Sequence, residues 1–131
     1  MTMAEIRDEA QASRSHGMSL SVRTDRETSV VSLGGNVDLE NSPAARALLL
    51  CCVDENREVV VDLRGIYYMD SSGVGSLVEA LVRAKHRGRR FSLVSAHPAT
   101  LRALRLARLD EVFTVHETLE GAAQARRAAV S

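Results

Sequence analysis

Residues 58–63, EVVVDL, set three β-branched residues in a row between acids, and Val74, Leu77, Val78 and Leu81 follow downstream at helical spacing. An apolar run of strand length has no polar face to offer water, so it requires cover on both sides or a place in mid-sheet. Gly65 is expected to break it. The later stripe at i, i+3, i+4 and i+7 gives a helix with one buried face. A two-sided strand leading into such a helix belongs to an α/β domain.

The rest of the chain fits that class. LSVRTD (20–25) and TSVVSLGG (28–35) read as two strands joined by a turn, an antiparallel hairpin that opens the fold. Asn41 or Ser42, followed by Pro43, caps a first helix over AARALLLCCVDEN, with Ala45, Leu48, Leu49 and Cys52 inward. The second helix, with Glu79 spaced to pair with Arg83, ends in AKHRGRR, where Gly88 suits a left-handed C-terminal residue. FSLVSA (91–96) is the next strand. His97-Pro98 starts a third helix with Leu101, Leu104 and either Leu106 or Leu109 inward. EVFTVHE (111–117) is the last strand, and Thr118 caps a final helix, LEGAAQARRAAV.

The order β-β-α-β-α-β-α-β-α predicts a mixed sheet of about five strands, parallel after the first hairpin, with about four helices. Residues 1–17 are polar and without a period, so a flexible arm is expected there and one domain over 18–131.

Composition narrows the function classes. The chain has 131 residues, about one domain, with 17 Lys+Arg against 17 Asp+Glu, so no net field draws it to nucleic acid or anionic lipid. Its aromatics are two Tyr and two Phe, too few for base-stacking platforms. The start, MTMAEIRDEAQASRSHG, mixes acids and bases without an apolar run, and no long apolar stretch follows; a cytoplasmic protein with no membrane contact is expected. Cys51 and Cys52 are adjacent within a helical segment, where their side chains diverge too far to bridge easily, so free thiols are expected. His16, His86, His97 and His116 are scattered, and no metal or cofactor is expected. The bases Arg83, Lys85, His86, Arg87, Arg89 and Arg90 read as a solvated helix end.

The chemistry concentrates in YMDSSGVGSLVEA (68–80), an acid, two hydroxyls and two glycines ahead of a helix. A hydrolase elbow needs a small residue two before its serine, and neither Ser71 nor Ser72 has one. A dinucleotide cradle needs a third glycine where Val78 stands and an acid where the next strand ends in Ser95-Ala96. A receiver-type phosphoaspartate at Asp62 lacks the acids expected after the first strand. Simple capping by Asp70 or Ser71 remains open, with Gly73 and Gly75 allowing close approach. Capping alone, however, does not require two helix glycines, each costing about 1 kcal/mol. Docking of a partner therefore stays open beside it.

The segment VVVDLRGIYYMDSSGVGSLVEALVRAK resembles the signature of the STAS domain, specifically of anti-anti-sigma factors. The likeness spans roughly residues 18–125: the hairpin, GNVDLENS (35–42), similar to the family's G-E-L-D loop but with Asn36 for the usual glutamate, and the closing LARLDEVFTVHETLEGA. The resemblance implies a non-enzymatic regulator that binds an anti-sigma factor with serine kinase activity, frees a sigma factor, and is switched off by phosphorylation. The second serine of the motif, Ser72, would take the phosphate, and a serine phosphatase would reset it. Asp38, Asn41, Asp70, Ser71, Gly73, Val74 and Gly75 would form the partner surface. A STAS scaffold or adaptor, and a small-ligand or nucleotide-binding STAS domain, are the alternatives.

Overall fold

The computed structural model describes residues 11–95 and 97–130. Along the chain run β1 (Gln11–Ser15), β2 (Met18–Asp25), β3 (Thr28–Val37), α1 (Ser42–Glu55), β4 (Glu58–Met69), α2 (Ser71–His86), β5 (Arg90–Val94), α3 (Pro98–Leu106), β6 (Val115–His116) and α4 (Leu119–Val130). The strands form one sheet in sequential order, with β1–β2 and β2–β3 antiparallel and the remaining pairs parallel. The α/β class, the antiparallel start and the helical crossovers are those expected.

The EVVVDL run behaves as its composition demands. Val59, Val61 and Leu63 enter the main core with Leu49, Val53, Leu77, Leu81 and Leu104, whereas Val60 turns to the other face and packs with Val94, Ala122 and Leu119. Helices α1–α3 thus cover one face and α4 the other. Each large aliphatic fully removed from water contributes about 1.5–3 kcal/mol. At the start of β4, Glu58 joins α4 to this face: its carboxylate meets Arg126 at 3.0 Å and accepts from Thr28 at 3.1 Å.

Four expectations need correction. The arm expected through residue 17 reaches into a strand: residues 11–15 pair with β2 across a two-residue turn in which His16 and Gly17 have φ of 45° and 85°. Such a turn matches strand twist, while the polar strand, with Ser13 and Arg14 exposed, leaves no alternating pattern to read. Residues 1–10 lie outside the described ones. Gly65 does not end β4, which continues to Met69 through a register shift opposite Ser32 and Gly34. The last strand is only Val115–His116, because the preceding residues bend to bring Phe113 into the core against Phe91, ring centroids 6.3 Å apart. Of Leu106 and Leu109, offered as alternatives, Leu109 is the one that packs on the core, as allowed for, while Leu106 is 80% exposed. Finally, Glu79 pairs with Arg46 of α1, and Arg83 with Asp54, 3.2 Å away; the adjacent helix offers better partners than the next turn of their own.

Several local signals hold as read. Gly88 takes the left-handed conformation at φ 67°. His97 caps α3, and Thr118 Oγ1 accepts from the Gly121 N–H at 2.9 Å at the start of α4. Cys51 is exposed, Cys52 buried, and both are free thiols. Burial pushes the Cys52 thiol up to about 11, so it stays protonated and inert near neutral pH.

Candidate functional site at the start of helix α2

Parallel neighbours β3 and β4 end side by side, Val37 opposite Met69, so the loops leading into α1 and α2 emerge at the same end of the sheet. Ligand and partner sites favour that end of parallel strands. The two loops are stitched together by the Asp70 N–H, which donates to the Val37 carbonyl at 3.0 Å.

Asp70 is the N-cap of α2. Its Oδ1 accepts from the N–H groups of Ser72 at 2.9 Å and Gly73 at 3.2 Å, and also from the Ser72 hydroxyl. The Ser72 hydroxyl, helped by the N–H groups of Gly73, Ser72 and Leu39, holds the Asp70 carboxyl below its ordinary range. The carboxylate therefore remains charged and fixes the orientation of Ser72 Oγ. Chemically, this aims the hydroxyl proton at a base and leaves the oxygen lone pairs for an electrophile. It also occupies the helix-start amides that a bound phosphate would need, which weighs against a small anionic ligand at this point.

Ser71 is exposed and Ser72 half-buried, so both hydroxyls lie at the surface, but only Ser72 is held by Asp70. Ser76 is buried; its hydroxyl donates to the carbonyls of Ser72, 3.1 Å away, and Ser42, 3.4 Å away, tying α2 to the start of α1.

The expected partner residues divide by exposure. Asp38 is half-buried, and its Oδ1 accepts from the N–H groups of Glu40 at 3.0 Å and Asn41 at 3.2 Å, a tight polar turn. Asn41 is wholly buried. It accepts from the Asp38 N–H at 2.9 Å and donates to the carbonyls of Asn36 and His16 at 2.8 and 3.0 Å. No side-chain cap bond from Asn41 to α1 forms, because its amide is spent joining the β1–β2 turn, the end of β3 and the loop. Asn41 therefore shapes the surface from beneath.

Gly73 and Val74 are also buried, whereas Gly75 is exposed. Leu39, 78% exposed, and Tyr68, 56% exposed, add apolar surface around Asp70 that the motif reading did not single out. Their signal in the sequence was only their position, flanking Asp38 and Asp70.

Among the described residues, no cluster of His, Cys, Asp and Glu suits a metal ion, and no helix is long and apolar enough to cross a membrane.

Comparison with known proteins sets this geometry in a family. The family model described as "Mlab, STAS domain" matches residues 20–128. The anti-sigma-B factor antagonist of Bacillus subtilis (strain 168) is 23% identical over 94 residues, 72% of this chain and 86% of that protein. The crystal structure of an anti-sigma factor antagonist from Mycobacterium paratuberculosis superposes with a TM-score of 0.77 at 29% identity, covering 84% of this chain and 94% of that one. SpoIIAA, an anti-sigma factor antagonist solved in its unphosphorylated form, shares the fold with a TM-score of 0.70 at 20% identity, covering 92% and 97% of the two chains. The Bacillus SpoIIAA in its phosphorylated form has a TM-score of 0.63 at 20% identity, covering 89% and 98%. With its hairpin-led mixed sheet, its Asp70-capped helix and a family match across most of its length, this chain belongs to the STAS domain family.

Proposed function

We propose that this protein is an anti-sigma factor antagonist: unphosphorylated, it binds an anti-sigma factor that is also a serine kinase, and phosphorylation of Ser72 by that kinase ends the binding. The observation that carries the reading is the Asp70–Ser72 pair, which presents one oriented hydroxyl at a helix start. The likeness to anti-sigma factor antagonists, one of them solved in both phosphorylation states, supports it. Catalysis resides in the partner; this chain is the substrate, working in the cytoplasm without touching nucleic acid. A serine phosphatase resets it.

A phosphate on Ser72 adds about −1.5 to −2 charges beside Asp70. The dipole of α2 favours an anion there by about 0.3–1 kcal/mol, which offsets part of the repulsion and lets the fold persist. An apposed partner surface has more to lose. A kinase that has just transferred a phosphoryl group still holds anionic ADP nearby, and like-charge juxtaposition costs several kcal/mol. Reversing occupancy from 99:1 to 1:99 takes about 5.5 kcal/mol. Asp38, Asn41, Asp70, Ser71, Gly73, Val74 and Gly75 build the contact surface, with Asn41 and Gly73 acting through its shape.

The test is incubation with kinase-type anti-sigma factors and ATP, with the phosphate mapped by mass spectrometry. Label on Ser72 is expected; label on Ser71 or elsewhere, or none with every candidate, overturns the assignment.

A further inference from the structure

Gly73 and Gly75 look equivalent in the sequence but stand in different surroundings. A Cβ on Gly73 would lie 2.7 Å from Met69 Cγ and 2.8 Å from Val37 Cγ1, so internal packing accounts for that glycine. A Cβ on Gly75 would meet, among the described residues, no atom within 4 Å beyond its chain neighbours and the backbone of its own helix. A glycine within a helix weakens it relative to alanine, and no internal steric reason keeps this one.

Beside Gly75 a groove opens between α2 and α3, walled by Met69, Val74, Val78, Ala103, Leu106 and Leu109. Most of these are buried or half-buried parts of the core, but Leu106 stands 80% exposed. Among the described residues, the charged groups lining the groove are both acids and both engaged: Glu79 with Arg46, Asp70 with Ser72. Asp70 and Ser71 line the groove as well, so it is continuous with the surface around Ser72.

We infer that an uncharged aliphatic side chain of the anti-sigma partner seats in this groove over Gly75, against Leu106. The inference rests on the reading of Ser72 as phosphoacceptor, and it names the apolar anchor of that same surface. A second copy of this chain is a poorer occupant, because seated there it would crowd Ser72 away from a kinase. The anchor gives affinity through buried apolar area, while the charge on Ser72 decides whether the anchored complex survives.

The experiment measures binding of the kinase-type anti-sigma factor in the presence of ADP, so that no phosphate is transferred, to wild type, Gly75→Leu and Leu106→Gln. Open space around Gly75 and the exposure of Leu106 predict that both variants fold, with a melting temperature for Gly75→Leu at or above that of wild type. Filling the groove with Gly75→Leu is expected to weaken binding at least about tenfold, about 1.4 kcal/mol. Leu106→Gln is expected to weaken it about threefold or more, at unchanged melting temperature. Wild-type affinity in both folded variants overturns the groove while leaving the Ser72 reading intact. Failure of wild type itself to bind any such partner overturns the Ser72 reading, and the anchor with it. A concentration-dependent dimer of wild type that Gly75→Leu abolishes would assign the groove to self-association and overturn the inference.

Discussion

The Asp70 carboxylate accepts hydrogen bonds from both the backbone N–H and the hydroxyl of Ser72, so one side chain starts helix α2 and aims the group at its tip. Helix stability and the poise of the switch therefore share a single residue.

Ser72→Ala removes the hydroxyl but leaves the cap intact. It is expected to fold, to lose about 0.5–1.5 kcal/mol of stability, and to bind the partner without being phosphorylated. Ser72→Glu should lose about a hundredfold or more in affinity, about 2.7 kcal/mol. Titration calorimetry alongside urea unfolding separates the two effects, and equal affinities would argue for a purely structural serine.

Asp70→Ala should cost about 1 kcal/mol, within the range of about 0.5–2 for a lost N-cap. The Asp70 pKa is lowered in the folded state from an ordinary value of 3.8. A depressed folded-state pKa means that the cap's contribution is complete above the unfolded value and is lost as pH falls through the folded one. The stability gap between wild type and Asp70→Ala should thus be constant near neutrality and close below about pH 4. A gap undiminished at pH 2 from its value at neutrality would show that the charge on Asp70 is irrelevant.

Asn41→Ala should be more damaging, by about 2–3 kcal/mol, because it strands the Asp38 N–H and the carbonyls of Asn36 and His16 at a buried site. Chemical denaturation measures the loss. A cost under about 0.5 kcal/mol would mean that water replaces the amide.

Gly73→Ala and Gly75→Ala should move stability in opposite directions. The first forces a methyl against Met69 and Val37 and should cost about 1–3 kcal/mol. The second enters open space on an exposed helix turn and should add up to about 1 kcal/mol. Thermal melts of the two variants decide it, and a shared sign would contradict the packing described around one of them.

Elements whose burial shows as a period were legible in the sequence. The EVVVDL strand and the Val74–Leu77–Val78–Leu81 stripe stand where expected, because each demands one kind of environment along its whole length. β1 was not legible, since a polar strand at the sheet's edge carries no period. The segment read as the EVFTVHE strand misled because Phe113 serves the core from a bend, leaving only Val115–His116 to pair.

At the site, DSSG placed the helix start but left Asp70 and Ser71 as rival caps, and Ser72 stood out only through the family resemblance; the structure chose Asp70. What Asn41 does, and how Gly73 differs from Gly75, depended on residues such as His16, Asn36 and Val37 brought in from other elements. Sequence alone determined the start of helix α2, because the acid, hydroxyls and apolar stripe that mark it lie close together along the chain, while the hold of Asp70 on the Ser72 hydroxyl had to be seen. Only tertiary structure decided which glycine is filled from within and which lies open beside a groove, because steric space is a property of the packed chain.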